Sequence, residues 1–149
     1  KIYNHNFNFT KGYKIVHKLS NFTVLSTGII SSKILEIVND LKQNKLKIGY
    51  IDIFDISKIN NLIKILINHK IKKLLIIEEN SISAGILPIF TSALSNYDYK
   101  LDIKSLSLPD KQFFDYGDRD WILSKYGLSE KNIKSKIRRM YEKKWFIRL

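Results

Sequence analysis

The chain of 149 residues contains no cysteine, one methionine, two prolines and six glycines. Without cysteine there is no disulfide, no thiolate nucleophile and no sulfur-rich zinc site. The shortage of glycine removes the phosphate-cradling loops. The turn Ser26-Thr27-Gly28-Ile29-Ile30 holds a single glycine where a dinucleotide turn needs several for close backbone approach, and no Walker pattern occurs. It reads as an ordinary strand exit. No apolar run reaches the roughly 20 residues that a helix needs to cross a bilayer, and no secretory leader opens the sequence. The expectation is a soluble, cytoplasmic protein with no membrane partner. Lys1 stands where a start methionine would, compatible with a piece of a longer chain.

Catalytic patterns are missing as well. His5, His17 and His69 have no metal-ligand spacing, and no serine sits in a nucleophile elbow. Glu78 and Glu79 are adjacent, so on a strand they point to opposite faces and form no acid–base pair by themselves. No catalytic, cofactor-binding or metal-binding residue is expected.

What the chain does have is apolar content, 44%, and a net charge of +12 from 26 basic and 14 acidic residues. Such a charge attracts polyanions. The lysines are spread along the chain, however, and lysine, isoleucine and asparagine are abundant together, a bias that needs no charged partner. One concentration lies near the carboxyl end: Lys134, Lys136, Arg138, Arg139, Lys143, Lys144 and Arg148, with Trp145 and Phe146. Cations beside aromatics can grip a nucleic-acid backbone and stack on bases, or form the solvated face of a terminal helix and a packing tail. No sequence-specific binding motif accompanies them, so nucleic acid is not the expected partner. A stand-alone basic nucleic-acid-binding α/β domain is the alternative reading.

The patterning centres on residues 70–85. Leu74 to Ile77 are an unbroken apolar run, too short for an ordinary helix, rich in isoleucine, and followed by Glu78, Glu79 and Asn80. A strand buried on both faces has no polar side, and its polar chemistry gathers in the loop at its carboxyl end. Similar runs predict strands over 22–28, 46–53, 71–78 and 101–108. Between them, one-faced apolar series predict helices: Ile30, Ile34, Ile37, Val38 and Leu41, with Ser31 or Ser32 as cap; then Ile59, Leu62, Ile63, Leu66 and Ile67; then residues 83–94, with Pro88 in the first turn. After a loop over 110–118, a short helix over 120–125 ends at Gly127. Ser129 caps a last helix whose inner stripe is Ile133, Ile137 and Met140. Residues 1–20 read as an extended lead-in and 21–149 as one α/β domain. Strands alternating with helices imply a mostly parallel sheet in a three-layer sandwich.

Several phrases, in order, give a more specific likeness. They are Phe9-Thr10-Lys11-Gly12-Tyr13-Lys14, Phe22-Thr23-Val24-Leu25-Ser26-Thr27-Gly28, and Ile51-Asp52-Ile53-Phe54-Asp55-Ile56. Ile77-Glu78-Glu79-Asn80 follows, with Gly85 beyond, then Leu108-Pro109-Asp110, Tyr116-Gly117 and Tyr126-Gly127-Leu128. Together, over residues 9–136, they resemble the C-terminal domain of the transketolase family of thiamine-diphosphate enzymes. The chain departs from the family pattern at Ala84-Gly85, where two glycines are usual, and at Leu87-Pro88, where a glycine-serine pair is usual. Glu-Glu-Asn and Leu-Pro-Asp look like the deoxyxylulose-phosphate synthase version, whereas Asp115-Tyr116-Gly117-Asp118-Arg119 also resembles other transketolase-like proteins.

The resemblance implies the same three-layer sandwich, with a further antiparallel edge strand as an allowed addition. It also implies that thiamine diphosphate and magnesium belong to the complete enzyme but to other domains, leaving none in this chain. The isolated chain is then an inactive structural and assembly module. Its partners would be missing thiamine-binding domains or a separate catalytic subunit, with a homodimer as a compatible state. Glu78, Glu79, Asn80, Gly85, Pro109, Asp110 and Gly117 are the candidate domain-interface residues. For Glu78, Glu79 and Asn80, local hydrogen bonds capping the sheet edge and the next helix are the competing reading.

Overall fold

The computed structural model describes Phe7 and residues 9–142. His5 and the carboxyl-terminal Lys143, Lys144, Trp145, Phe146 and Arg148 lie outside the described residues. The central run is strand β4 (Lys73–Ser81), and its residues 73–78 are all buried. It has no polar face because both of its edges are paired and both of its faces are covered. β2 (Phe22–Ser26) lies in parallel on one side and β5 (Asp102–Leu108) in parallel on the other. The five-stranded sheet has the order β1-β3-β2-β4-β5. β3 (Gly49–Ile53) runs parallel to β2, and β1 (Tyr13–His17) closes that edge antiparallel to β3, with Tyr13 opposite Ile53.

The four expected parallel strands are therefore present, and the antiparallel edge strand is drawn from the segment read as a lead-in. Its direction positions the site. Because β1 runs against the others, Phe7 and Phe9 lie at the edge where β2, β3, β4 and β5 end.

The helices are α1 (Ile30–Gln43), α2 (Ile59–Asn68), α3 (Ile86–Leu94), α4 (Arg119–Lys125) and α5 (Glu130–Glu142). β2 connects outward to β3 through α1, whereas β3 returns across β2 to β4 through α2. With right-handed crossovers the two helices must cover opposite faces. Alternate strand residues divide accordingly. Val24, Leu75 and Ile77 pack with Ile34, Val38, Ile133 and Ile137 of α1 and α5. Leu25, Ile51, Leu74 and Ile76 pack with Leu62, Ile63, Leu66 and Phe90 of α2 and α3. Isoleucine is an indifferent helix former, so α2 is held by burial of this stripe rather than by propensity.

Some local expectations give way to tertiary structure. Neither Ser31 nor Ser32 caps α1, whose first residue is preceded by Ile29 without a side-chain cap. Ser31 is instead buried inside the first turn, and its hydroxyl donates to Asp52 Oδ1 at 2.5 Å. α3 begins at Ile86 rather than near Ser83, because β4 continues to Ser81. Glu78, Glu79 and Asn80 consequently end a strand rather than form a loop. Ser129 does cap α5, accepting from the Asn132 amide at 3.3 Å.

Candidate functional site

The parallel strands all end at one edge, where the pairing of β4 with β5 shifts register between Ile77 and Ser81. Glu78 and Glu79, as neighbours on the strand, point to different layers. Glu78 is fully buried. Its carboxylate accepts the Ile86 amide at 2.9 Å and 2.8 Å, one distance for each oxygen, and the Asn80 side-chain amide at 3.3 Å. The residue at the start of α3 is Gly85, which has no side chain with which to cap the helix. A strand residue does it instead, setting a carboxylate at the positive end of the helix where unpaired N–H groups gather.

Glu79 projects to the other layer. Arg119, at the start of α4, donates through Nε to Glu79 Oε2 at 2.9 Å and through its second fork nitrogen to Oε1. The bidentate pair joins the end of β4 to α4 across forty positions of sequence. Asp110, just after β5, accepts the Ser83 amide at 3.1 Å and the Ser83 hydroxyl at 2.7 Å, tying the β5 exit to the β4 exit. These bonds, the hydroxyl first, hold the Asp110 carboxyl below the usual carboxylate range. Ile82 also donates its amide to the Leu108 carbonyl at 2.9 Å, next to Pro109.

Farther along the same loop, Asp115 accepts from Lys125 and from the Tyr126 hydroxyl, and these contacts hold its carboxyl low. Asp118 caps α4 by accepting the Trp121 amide at 2.7 Å. Gly117 lies under the Trp121 ring, where a Cβ would stand 2.5 Å from Cε3. The loop is thus fixed from within, yet it presents Phe114 at 81% and Tyr116 at 99% exposure. Ile82 and Phe113 are exposed beside it, as are Phe54 and Ile56 after β3. Phe54 stacks edge-on with Phe7 and Phe9, at centroid distances of 6.0 Å and 5.3 Å.

Deeper in the same edge, Ser26, Ser31, Tyr50 and Asp52 form a buried network. Ser26 Oγ lies 2.8 Å from Ser31 Oγ and 2.7 Å from the Tyr50 hydroxyl, which donates to the Ser31 carbonyl at 2.8 Å. Burial pushes the Tyr50 phenol up. The polar groups of this network satisfy one another, which suits a scaffold that fixes strand ends. Among the described residues no group of three or more His, Asp or Glu side chains could hold a metal ion.

The structure therefore brings six of the sequence-selected residues, Glu78, Glu79, Asn80, Gly85, Pro109 and Asp110, to one edge, with Gly117 on the adjoining loop. Glu78 and Gly85 are buried, whereas Asn80 and Asp110 are exposed. Arg119, Ser83 and Asp118 complete the arrangement and were not selected. Asp118 carried a readable signal, an aspartate just before a helix. Arg119 and Ser83 carried none, because their partners are far away in sequence.

Comparison with known proteins gives a concordant result. Residues 12–133 match the family model described as transketolase, C-terminal domain. The chain is 37% identical over 78 residues to 1-deoxy-D-xylulose-5-phosphate synthase of Chlamydia felis, covering 52% of this chain and 12% of that protein. It is 30% identical over 116 residues to the Chlamydia abortus protein of the same name, covering 77% and 18%. It thus spans less than a fifth of the length of these relatives. In fold it is similar to a solved split-gene transketolase, described as an inactive beta4 tetramer, with a TM-score of 0.78, 18% identity, and coverage of 93% of this chain and 45% of that one. The Campylobacter jejuni transketolase gives 0.59 at 13% identity, covering 89% and 19%. The family match over residues 12–133 takes in most of the chain, and the likeness in fold agrees with it: this chain belongs to the transketolase C-terminal domain family.

Proposed function

We propose that the chain is the non-catalytic assembly domain of a thiamine-diphosphate-dependent enzyme that transfers two-carbon ketol or acyl units, of the deoxyxylulose-phosphate synthase branch. The observation that carries this reading is the coincidence at one edge of three things: the family's Glu-Glu-Asn and Leu-Pro-Asp segments, the amino-terminal approach to β1, and the exposed Phe114, Tyr116 and Ile82. A chain that enters at an edge brings whatever precedes it to that edge, and an apolar rim there is best buried against it. Relatives named as synthases support the branch, and their greater length leaves room for thiamine-binding domains. Thiamine diphosphate and magnesium belong, in this reading, to those other domains, because the cofactor's chemistry depends on groups that position and activate it. Asn80, Pro109, Asp110 and the loop around Gly117 form the junction, Glu79 fixes α4 beside it, and Glu78 and Gly85 hold α3 from within. A second copy can join the same assembly. The cytoplasm is the proposed location, and among the described residues no helix is long and apolar enough to cross a membrane.

The test is to mix the purified chain with the thiamine-binding domains of a synthase of this branch at about 0.15 M salt, where surface charge is largely screened beyond roughly 8 Å, and to measure complex mass. A stoichiometric complex weakened by Phe114→Ser with Tyr116→Ser is expected. No complex, together with tight and salt-sensitive binding to single-stranded nucleic acid, sinks the reading.

A further inference from the structure

The opposite edge of the sheet, where the parallel strands begin, has a different character. The turn before β2 brings Lys18, the last turn of α1 brings Lys42, and the turn before β3 brings Lys45 and Lys47 to one groove of about 470 Å³. Ser20 and apolar side chains complete its lining, which includes no carboxylate. Two lysines elsewhere pair with carboxylates, Lys125 with Asp115 and Lys134 with Asp40 and Glu130. Among the described residues, Lys18, Lys42, Lys45 and Lys47 make no ion pair.

We propose that this groove is a binding site for a compact oligophosphate anion. Four cationic groups around one concavity repel one another, and a multiply charged ligand bridging them removes that repulsion while gaining charge-assisted hydrogen bonds. The volume falls within the range of small-molecule sites. Stretched single-stranded nucleic acid fits less well. Base recognition needs exposed aromatic platforms beside the cations; among the described residues Phe54, Phe113, Phe114 and Tyr116 lie at the other edge, and the nearby Tyr141 is partly buried with its hydroxyl accepting the Lys47 amide at 3.3 Å. Lys45 also has φ +66°, in the left-handed position after a helix where glycine or asparagine is the ordinary choice.

His17 lies close enough to report on the site. Its Nε2 is 2.7 Å from Asn39 Oδ1, its ring is 6.4 Å from that of Tyr50, and Lys42 adds to burial in lowering its pKa. An anion beside Lys42 offsets the lysine's effect, so the His17 pKa should rise on binding.

The probes are inorganic tripolyphosphate and ATP, titrated by calorimetry at about 0.05 M salt with the His17 ring followed by NMR. One-to-one binding with a Kd below about 1 mM is expected for both, since no base is read. Affinity should fall steeply with salt, and the His17 pKa should rise. Lys45→Gly relieves the left-handed backbone and removes one charge, so it should keep the fold and weaken binding by about fivefold or more. Lys42→Gln should do the same. Lys70→Gly is the matched control, because Lys70 also has positive φ, 54°, but does not line the groove. It should leave affinity unchanged. Equal weakening by Lys70→Gly overturns the proposal in favour of a diffuse field. Failure to saturate overturns it outright, as does preferential, Lys45-dependent binding of oligothymidylate over tripolyphosphate.

Discussion

Gly85 lies directly against the buried carboxylate of Glu78. A Cβ at position 85 would stand 2.3 Å from Glu78 Oε1 and 2.4 Å from Oε2. The two residues are complementary: glycine removes the capping side chain from the start of α3, and the space it leaves admits a cap from the neighbouring strand. The cost of burying Glu78 is offset by its bonds to the Ile86 amide and Asn80.

Gly85→Ala should therefore be destabilising by about 2 kcal/mol through forced displacement of the carboxylate. The check is a lower urea midpoint with an unchanged denaturant slope. Glu78→Ala should cost about 2–3 kcal/mol by leaving the Ile86 amide buried without its acceptor. Combined, the two should cost less than their sum, since the alanine methyl then enters space the carboxylate has vacated. Strict additivity would refute the coupling.

Arg119→Ala removes the bidentate partner of Glu79. Both side chains are partly exposed, so the loss in global stability should be no more than about 1 kcal/mol. The local effect should be larger, with faster amide exchange in α4 and the preceding loop. Unchanged exchange there would show that the pair does not position α4.

Asp110 gives a pH dependence with a definite sign. Its folded carboxyl is depressed by the Ser83 hydroxyl and amide, so the stabilisation it provides is present above its unfolded pKa and lost as pH falls through the lower, folded value. The tie between the β4 and β5 exits should hold at neutral pH and loosen only below about pH 4. Exchange of the Ser83 amide against pH checks this, and Asp110→Asn should flatten the profile.

Calorimetry with thiamine diphosphate and magnesium should show no stoichiometric site of micromolar affinity on the isolated chain, and their addition should produce no transketolase, decarboxylase or synthase turnover. A tight one-to-one site would remove the division of labour proposed for the complete enzyme.

The apolar run Leu74–Ile77, the one-faced series of α1, α2 and α5, and the sparse glycines determined by themselves that this chain forms a parallel α/β sandwich without a phosphate loop. Those signals are local, arising from side-chain periodicity along a strand or helix, and they survive without knowledge of distant partners. The phrases around Glu78 and Pro109 lie at the edge where the parallel strands end. Tertiary structure decided which partner most residues there meet. Ser31 resembled a cap by position and became a donor to Asp52, because β3 delivers a buried carboxylate to it. For Glu78 the reading as a cap of the next helix holds, but it caps α3 from the end of a strand rather than from a loop, because β4 runs on to Ser81. Arg119 and Ser83 gained their roles only when segments forty and twenty-seven positions away were brought beside them. The lysine groove arose in the same way, from the turn before β2 and the connection between α1 and β3, which the pairing of β2 with β3 places side by side. Sequence periodicity reports which face of an element is buried, whereas pairing between polar groups depends on the topology that brings their elements into contact.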